Sequence, residues 1–333
     1  MNQWKGNVAT QITLDDDFIV PDTMDDMEQV MLDTGEVQIE SVKNQGDKVA
    51  VKGRLEFQVL YRREAGGLQT LGGSIPFEET VNVPNLEEKD YVGLNWMLED
   101  LNTEMINSRK LGVQSIITLQ VRVETLRDAE AAVYVDMEGG SPAAGAGLSE
   151  GDAGGAIQVE TLKRTANAAS IAVRRKDTYR IKEELSLTGG KPNMGQLLWR
   201  EMRLRDVSVK PLDGRLHLDG EMTVFVIYMA EDENMPVQWL EDTLSFSGEM
   251  EMNDVKEEQI PMVIVRLAHK DIQAKPDYDG EMREMDVEDV LELDIKLYEG
   301  QEVELLSDKY SNMREIRLTQ TEACFDQILP RQV

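Results

Sequence analysis

Apolar side chains recur at every second position over long stretches of the chain. From Val49 to Tyr61 the series runs Val49, Val51, Gly53, Leu55, Phe57, Val59 and Tyr61, apolar but for the one glycine. Successive side chains of a strand point to opposite faces, so this period predicts a half-buried β-strand, or two joined at Gly53. The same figure returns as Leu216, Leu218, Gly220, Met222, Val224, Val226 and Tyr228. Gly53 matches Gly220 and Tyr61 matches Tyr228, both 167 residues apart.

The offset holds upstream, where Met27 matches Met194, Gln29 matches Gln196 and Ser41-Val42 matches Ser208-Val209. Downstream it drifts slowly: Phe77 pairs with Phe246 and Leu98 with Leu267 at 169, then Arg109 with Arg283 at 174. The strand Leu119-Gln-Val121-Arg-Val123 then matches Leu293-Asp-Ile295-Lys-Leu297. Landmarks kept in order over so long a stretch indicate a duplication. Each repeat is also expected to hold a short helix, Met27 to Leu32 capped by Asp25 or Asp26, and Met194 to Met202 capped by Asn193.

The fold class expected is therefore mainly β, a tandem repeat of two related β-sandwich or open-barrel-like domains, each with a short helix. Residues 1–165 form the first domain, with a Gly/Ala-rich loop at 139–155, and residues 166–333 the second. Residues 313–333 stand after the second repeat as 157–176 stand after the first, so a third repeat is expected to begin where the chain stops.

Charge narrows the partners. Against 35 Lys+Arg stand 64 Asp+Glu, a net charge of −29 spread along the chain, which repels phosphate backbones and anionic membrane. The basic runs Arg62-Arg63 and Arg174-Arg175-Lys176 are short and flanked by acids, so no nucleic-acid partner is expected. Cys324 is the only cysteine, which rules out an intrachain disulfide and suits a reducing compartment. No stretch reaches the roughly 18 apolar residues a spanning helix needs, so membrane insertion is not expected and the reading is a cytoplasmic protein.

Candidate chemistry is sparse. His217 and His269 lack a second ligand at metal-binding spacing. Gly189-Gly-Lys191-Pro192 resembles the end of a phosphate loop without its first glycine, and Gly145, Gly147 and Gly151 are spaced one residue too widely for a dinucleotide fingerprint. Gly140 to Asp152 resembles a PDZ loop but lacks the strand and turn that should follow. Asp277 and Asp279 before Gly280 fit positions of a calcium loop whose first position would be Lys275; they are a weak calcium candidate, and an Asp-Gly turn is the plainer reading. Carboxylates are too many for spacing to nominate a catalytic pair. The expectation is no enzyme: no catalytic residues, no cofactor-binding residues, no cofactor, and no metal beyond that weak candidate.

Three stretches carry a resemblance to a known family: Gln11 to Asp22, Gly53 to Tyr61, and Ile75-Pro-Phe-Glu-Glu79. Similar signatures stand in the second repeat at Asp177 to Glu184, Gly190 to Asn193, Gln238-Trp239, Phe246-Ser-Gly248 and Asp279 to Glu284. Together these resemble the spore coat assembly SipL (SPOCS) domain. One departure is Asp25, where the family often has the proline that the second repeat keeps as Pro192. Relatives often end in a LysM module that docks to the coat ATPase; none is read here, so that docking does not carry over. The resemblance implies a non-enzymatic spore-envelope protein made in the mother-cell cytoplasm and acting at the forespore surface. It would scaffold coat assembly through contacts with other coat or morphogenetic proteins, or with itself. The alternative is a carbohydrate- or peptidoglycan-binding β module, which would need exposed aromatic platforms; of Trp4, Trp96, Trp199 and Trp239, Trp96 and Trp199 fit core-facing positions.

Overall fold

The computed structural model describes residues 2–126, 160–232 and 236–310. The first repeat holds β1 (Asn2–Ile19), β2 (Met27–Gln45), β3 (Lys48–Arg63), β4 (Leu68–Asn82), β5 (Tyr91–Asn107) and β6 (Lys110–Leu126). The second holds β7 (Glu160–Ser186), β8 (Met194–Leu212), β9 (Arg215–Ala230), β10 (Val237–Glu251), β11 (Ile260–Pro276) and β12 (Met282–Tyr310). Four three-stranded sheets result, ordered β2-β3-β4 and β1-β6-β5 in one repeat, β10-β9-β8 and β11-β12-β7 in the other. The two halves thus share one topology. Among the described residues no helix is long and apolar enough to cross a membrane.

The alternating residues face inward as their period requires. Val49, Val51, Leu55, Phe57, Val59 and Tyr61 are buried, and their matches Leu216, Leu218, Met222, Val224, Val226 and Tyr228 are buried too. Each repeat closes its own core, one drawn from residues 14–123 and the other from 181–297. Full burial of such a side chain stabilises by roughly 1.5–3 kcal/mol, so each core is the main source of its repeat's stability.

The two expected helices are strands. Met27 opens β2 and Met194 opens β8, and each strand carries two bulges in its first six residues. Glu28-Gln29 face Arg62 alone and Met31-Leu32 face Leu60 alone; Gly195-Gln196 and Leu198-Trp199 do the same in β8. A bulge adds one residue, so same-side positions fall three apart, as Met27 and Val30 or Met194 and Leu197 do. That spacing imitates a helical face.

Gly53 and Gly220 mark no strand junction but a close approach. Gly53 pairs with Phe77 and Gly220 with Phe246 across the ladder. A Cβ on Gly53 would lie 2.7 Å from the Phe77 ring and 2.6 Å from the Gln38 carbonyl oxygen, and one on Gly220 2.8 Å from the Phe246 ring. The ring occupies the room that glycine leaves.

By contact density the chain divides into two compact units. The larger, residues 4–125 with 173–297, contains both cores. The smaller contains residues 160–172 of β7 and 298–310 of β12, tied by Lys163–Glu304 at 3.2 Å and by Ser170 Oγ to the Glu299 carbonyl at 3.5 Å.

Candidate functional site

Two arrangements in the larger unit gather polar side chains. The first is a corner built once in each repeat. Arg109, at the β5–β6 turn, donates to the carbonyls of Met24 (2.7 Å) and Val20 (2.9 Å) and to the carboxylates of Asp26 (3.0 Å) and Asp22 (3.2 Å). Tyr61 donates to the Asp25 carbonyl at 3.1 Å. In the second repeat Arg283 donates to the Lys191 carbonyl (2.9 Å) and Asn193 Oδ1 (3.1 Å), and Tyr228 to the Pro192 carbonyl at 3.2 Å. The loop ahead of β2 or β8 thus has its buried carbonyls satisfied by one arginine and one tyrosine, as chain leaving a ladder requires. The matched Tyr and Arg landmarks are structural for this reason.

The second arrangement joins the repeats. Glu124 of β6 accepts from Lys296 at 2.8 Å and from Arg174 at 2.7 Å, and all three side chains are nearly buried. The Arg174 guanidinium lies 3.2 Å from the centre of the Tyr91 ring, whose hydroxyl donates to Asp294 at 3.0–3.1 Å. Burial pushes the Tyr91 phenol up to about 12, with the Asp294 carboxylate adding to it. Burial also opposes the Glu124 charge, yet Lys296 and then Arg174 hold its carboxyl below the ordinary glutamate range. Arg266 stacks 4.5 Å over Trp96 and donates to Asn95, and Lys270 pairs with Glu36 at 2.9 Å. A cavity of about 30 Å³ lies beside Tyr91 and Glu124, room for about one water, and a wider one of about 610 Å³ is lined by Trp96, Lys176, Arg266 and Asp294. Apolar contact continues the junction, with Leu60 packed on Leu198 and Trp199, and Thr70 donating to the Leu198 carbonyl.

This junction escaped sequence reading because alternation marks only inward positions. The one signal was asymmetry: Tyr91 matches Ile260 at the 169 offset, and Glu124 matches Tyr298 at 174. Trp199 is buried as expected, but at the junction rather than in its repeat's core, and Trp96 is half-buried with its indole N–H on the Val37 carbonyl at 3.1 Å.

The remaining candidates lie apart. Asp277 Oδ1 accepts from the N–H groups of Asp279 (2.9 Å) and Glu281 (3.0 Å), forming an Asp-Gly turn with Gly280 at φ +84°. Lys275 turns to Asp286 at 2.7 Å and to Glu184. Among the described residues no three His, Cys, Asp or Glu side chains are grouped to hold a metal ion. His217 lies 3.4 Å from Asp219, away from His269. Cys324, the Gly/Ala-rich loop at 139–155 with its glycine and PDZ-like patterns, and residues 313–333 fall outside the described residues, as do the side chain of Trp4 and the 127–159 segment as a whole.

The family model described as SipL, SPOCS domain matches residues 26–106 and 193–275, one match in each repeat. No curated protein and no solved structure matches the chain.

Proposed function

Because the chain carries the SipL SPOCS domain twice, a sporulation-related family, we propose that it is a non-enzymatic structural protein of the bacterial spore envelope that scaffolds coat assembly. It is made in the mother-cell cytoplasm and acts at the forespore surface through contacts with other coat or morphogenetic proteins. The observation that supports this reading is how polar groups are spent: the duplicated Tyr–Arg corners and the Glu124 junction hold loops and repeats in place. The Arg174 and Lys296 charges are neutralised by Glu124. Such a body is suited to presenting fixed surfaces.

A fluorescent fusion in sporulating cells tests the reading. Signal gathered on the forespore is expected; signal that stays diffuse through sporulation would overturn it. The alternative, a carbohydrate- or peptidoglycan-binding module, draws on Trp239, the exposed tryptophan among those described. Pull-down on spore peptidoglycan that is lost in Trp239→Ala would favour it over the scaffold.

A further inference from the structure

The exposed apolar side chains follow a rule set by the junction between the repeats. On the outer face of the first repeat, Leu32, Leu60 and Thr70 form one row across β2, β3 and β4; in the second, Trp199, Ile227 and Trp239 form the same row across β8, β9 and β10. The first repeat presents Leu60, Leu68 and Thr70 to the second, which seats its β8 bulge, Leu198 and Trp199, on them. Leu60 is 2% exposed and Trp199 3%.

Each partner surface has a counterpart that the chain leaves open. The matches of Leu198 and Trp199 are Met31 and Leu32, again at a bulge, 48% and 40% exposed. The matches of Leu68 and Thr70 are Val237 and Trp239, 38% and 57% exposed, beside Ile227, which stands in the place of Leu60 and is itself part-buried against the Leu198–Trp199 cluster. Arg266, stacked on Trp96 at the junction, matches exposed Met97. At two matched positions the open surfaces carry an apolar residue where the internal one is polar: Thr70 becomes Trp239 and Arg266 becomes Met97. Scattered exposed apolar residues need no explanation, but these stand where the duplication places the two halves of one interface.

We propose that the chain assembles head to tail, the Val237–Trp239 face of one copy receiving the Met31–Leu32 bulge of the next as Leu60 receives Leu198 and Trp199 within the chain. Such a contact joins unlike surfaces, so it does not close at a dimer; it propagates into rings or filaments. The exposed start of β10 then meets the start of β2 of the next copy. A net charge of −29 on each copy opposes the approach, so assembly strengthens with salt while the apolar contact persists. The inference names a partner for the proposed scaffold but rests on repeat geometry: a chain that localises to the forespore yet stays monomeric would sink it and leave the scaffold reading standing.

The test is sedimentation velocity of the full chain over a concentration series at low and at roughly 0.5 M salt, with two variants, Val237→Glu/Trp239→Glu and Met31→Glu/Leu32→Glu. Wild type is expected to rise past dimer mass, more so in high salt. Each variant alone is expected to remain at 37.6 kDa, its association weakened at least about tenfold. Mixed in equal amounts, the variants each supply one intact face and are expected to stop at a dimer. Unchanged circular dichroism certifies the folding of each variant, and milder Trp239→Ser and Leu32→Ser replace any that fails. A monomeric wild type at every concentration and salt overturns the proposal. So do a plateau at dimer, assembly of either variant alone, and a mixture that stays monomeric.

Discussion

At matched positions the two repeats solve the same problem with different residues. In the turn ahead of β5, the Glu87 N–H donates to Asp90 at 2.8 Å; ahead of β11, the Lys256 N–H donates to Gln259 at 3.1 Å. Asp90 is buried and charged, and Lys5 answers it at 2.6 Å; Gln259 is neutral and donates to the Asp254 carbonyl at 3.4 Å. The cores show the reverse choice. Ser115 sits inward between Val113 and Ile117, and its match Asp289 sits inward between Val287 and Leu291, fully buried, with no well-formed hydrogen bond to either carboxylate oxygen and only the Val290 backbone N–H beside it. What the repeats share closes the frame. What differs reflects each copy's neighbours, or, at Asp289, a misfit the second repeat carries.

Breaking the junction gives the largest effect. Glu124→Ala leaves Arg174 and Lys296 nearly buried without their carboxylate, and a loss of about 3–5 kcal/mol is expected by denaturant unfolding.

Next comes Asp289, whose carboxyl burial pushes up to about 7, with Lys270 opposing and Glu36 adding to the shift. A folded-state value above the ordinary 3.8 means the folded protein holds this proton more tightly. Asp289 therefore costs stability progressively as pH rises from about 4 to about 7, and the full cost, roughly 4 kcal/mol, stands above that. Asp289→Ser, which restores the first repeat's residue, is expected to stabilise at pH 8 and make little difference at pH 4. Thermal unfolding of both proteins at the two pH values checks the sign. Asp90 runs oppositely: burial opposes its charge, but Lys5 and the Glu87 N–H hold its carboxyl below the ordinary value. Its contribution is present above pH 3.8 and lost as pH falls through the lower folded value, and Gln259 has no such dependence.

The shared features should fail in parallel. Gly53→Ala drives a Cβ into the Gln38 carbonyl and Phe77, Gly220→Ala into Phe246 and the Val207 backbone, and about 1–3 kcal/mol is expected from each, the former larger because a backbone oxygen cannot turn aside. Smallest are the corner tyrosines. Tyr61→Phe forfeits the one bond its hydroxyl donates, shared between the Asp25 carbonyl and Gln69 Oε1, and Tyr228→Phe the bond to the Pro192 carbonyl, so about 1 kcal/mol is expected from each.

Much of this frame is legible in the chain. Alternation from Val49 to Tyr61 marks β3, its echo marks β9, and the matched glycines, phenylalanines, tyrosines and arginines are the contacts that close each repeat. The paired bulges of β2 and β8 are hidden, because one inserted residue turns a period of two into a spacing of three and reads as helix. The junction is hidden for another reason. Tyr91, Glu124, Arg174 and Lys296 sit on outer faces, where a polar residue that will be buried against a neighbouring repeat looks like one facing water. Only the loss of repeat symmetry at Tyr91 and Glu124 hinted at it.

The central claim, that each repeat offers the next the same two surfaces, is tested most directly by amide hydrogen exchange as the chain is concentrated. Residues 68–72 of β4 and 196–200 of β8, already joined within the chain, should be protected equally at all concentrations. Residues 237–241 of β10 and 27–33 of β2 should gain protection together as concentration rises, and both gains should vanish in Val237→Glu/Trp239→Glu. Protection at β10 and β2 that is independent of concentration, or that changes at only one of them, would contradict the account.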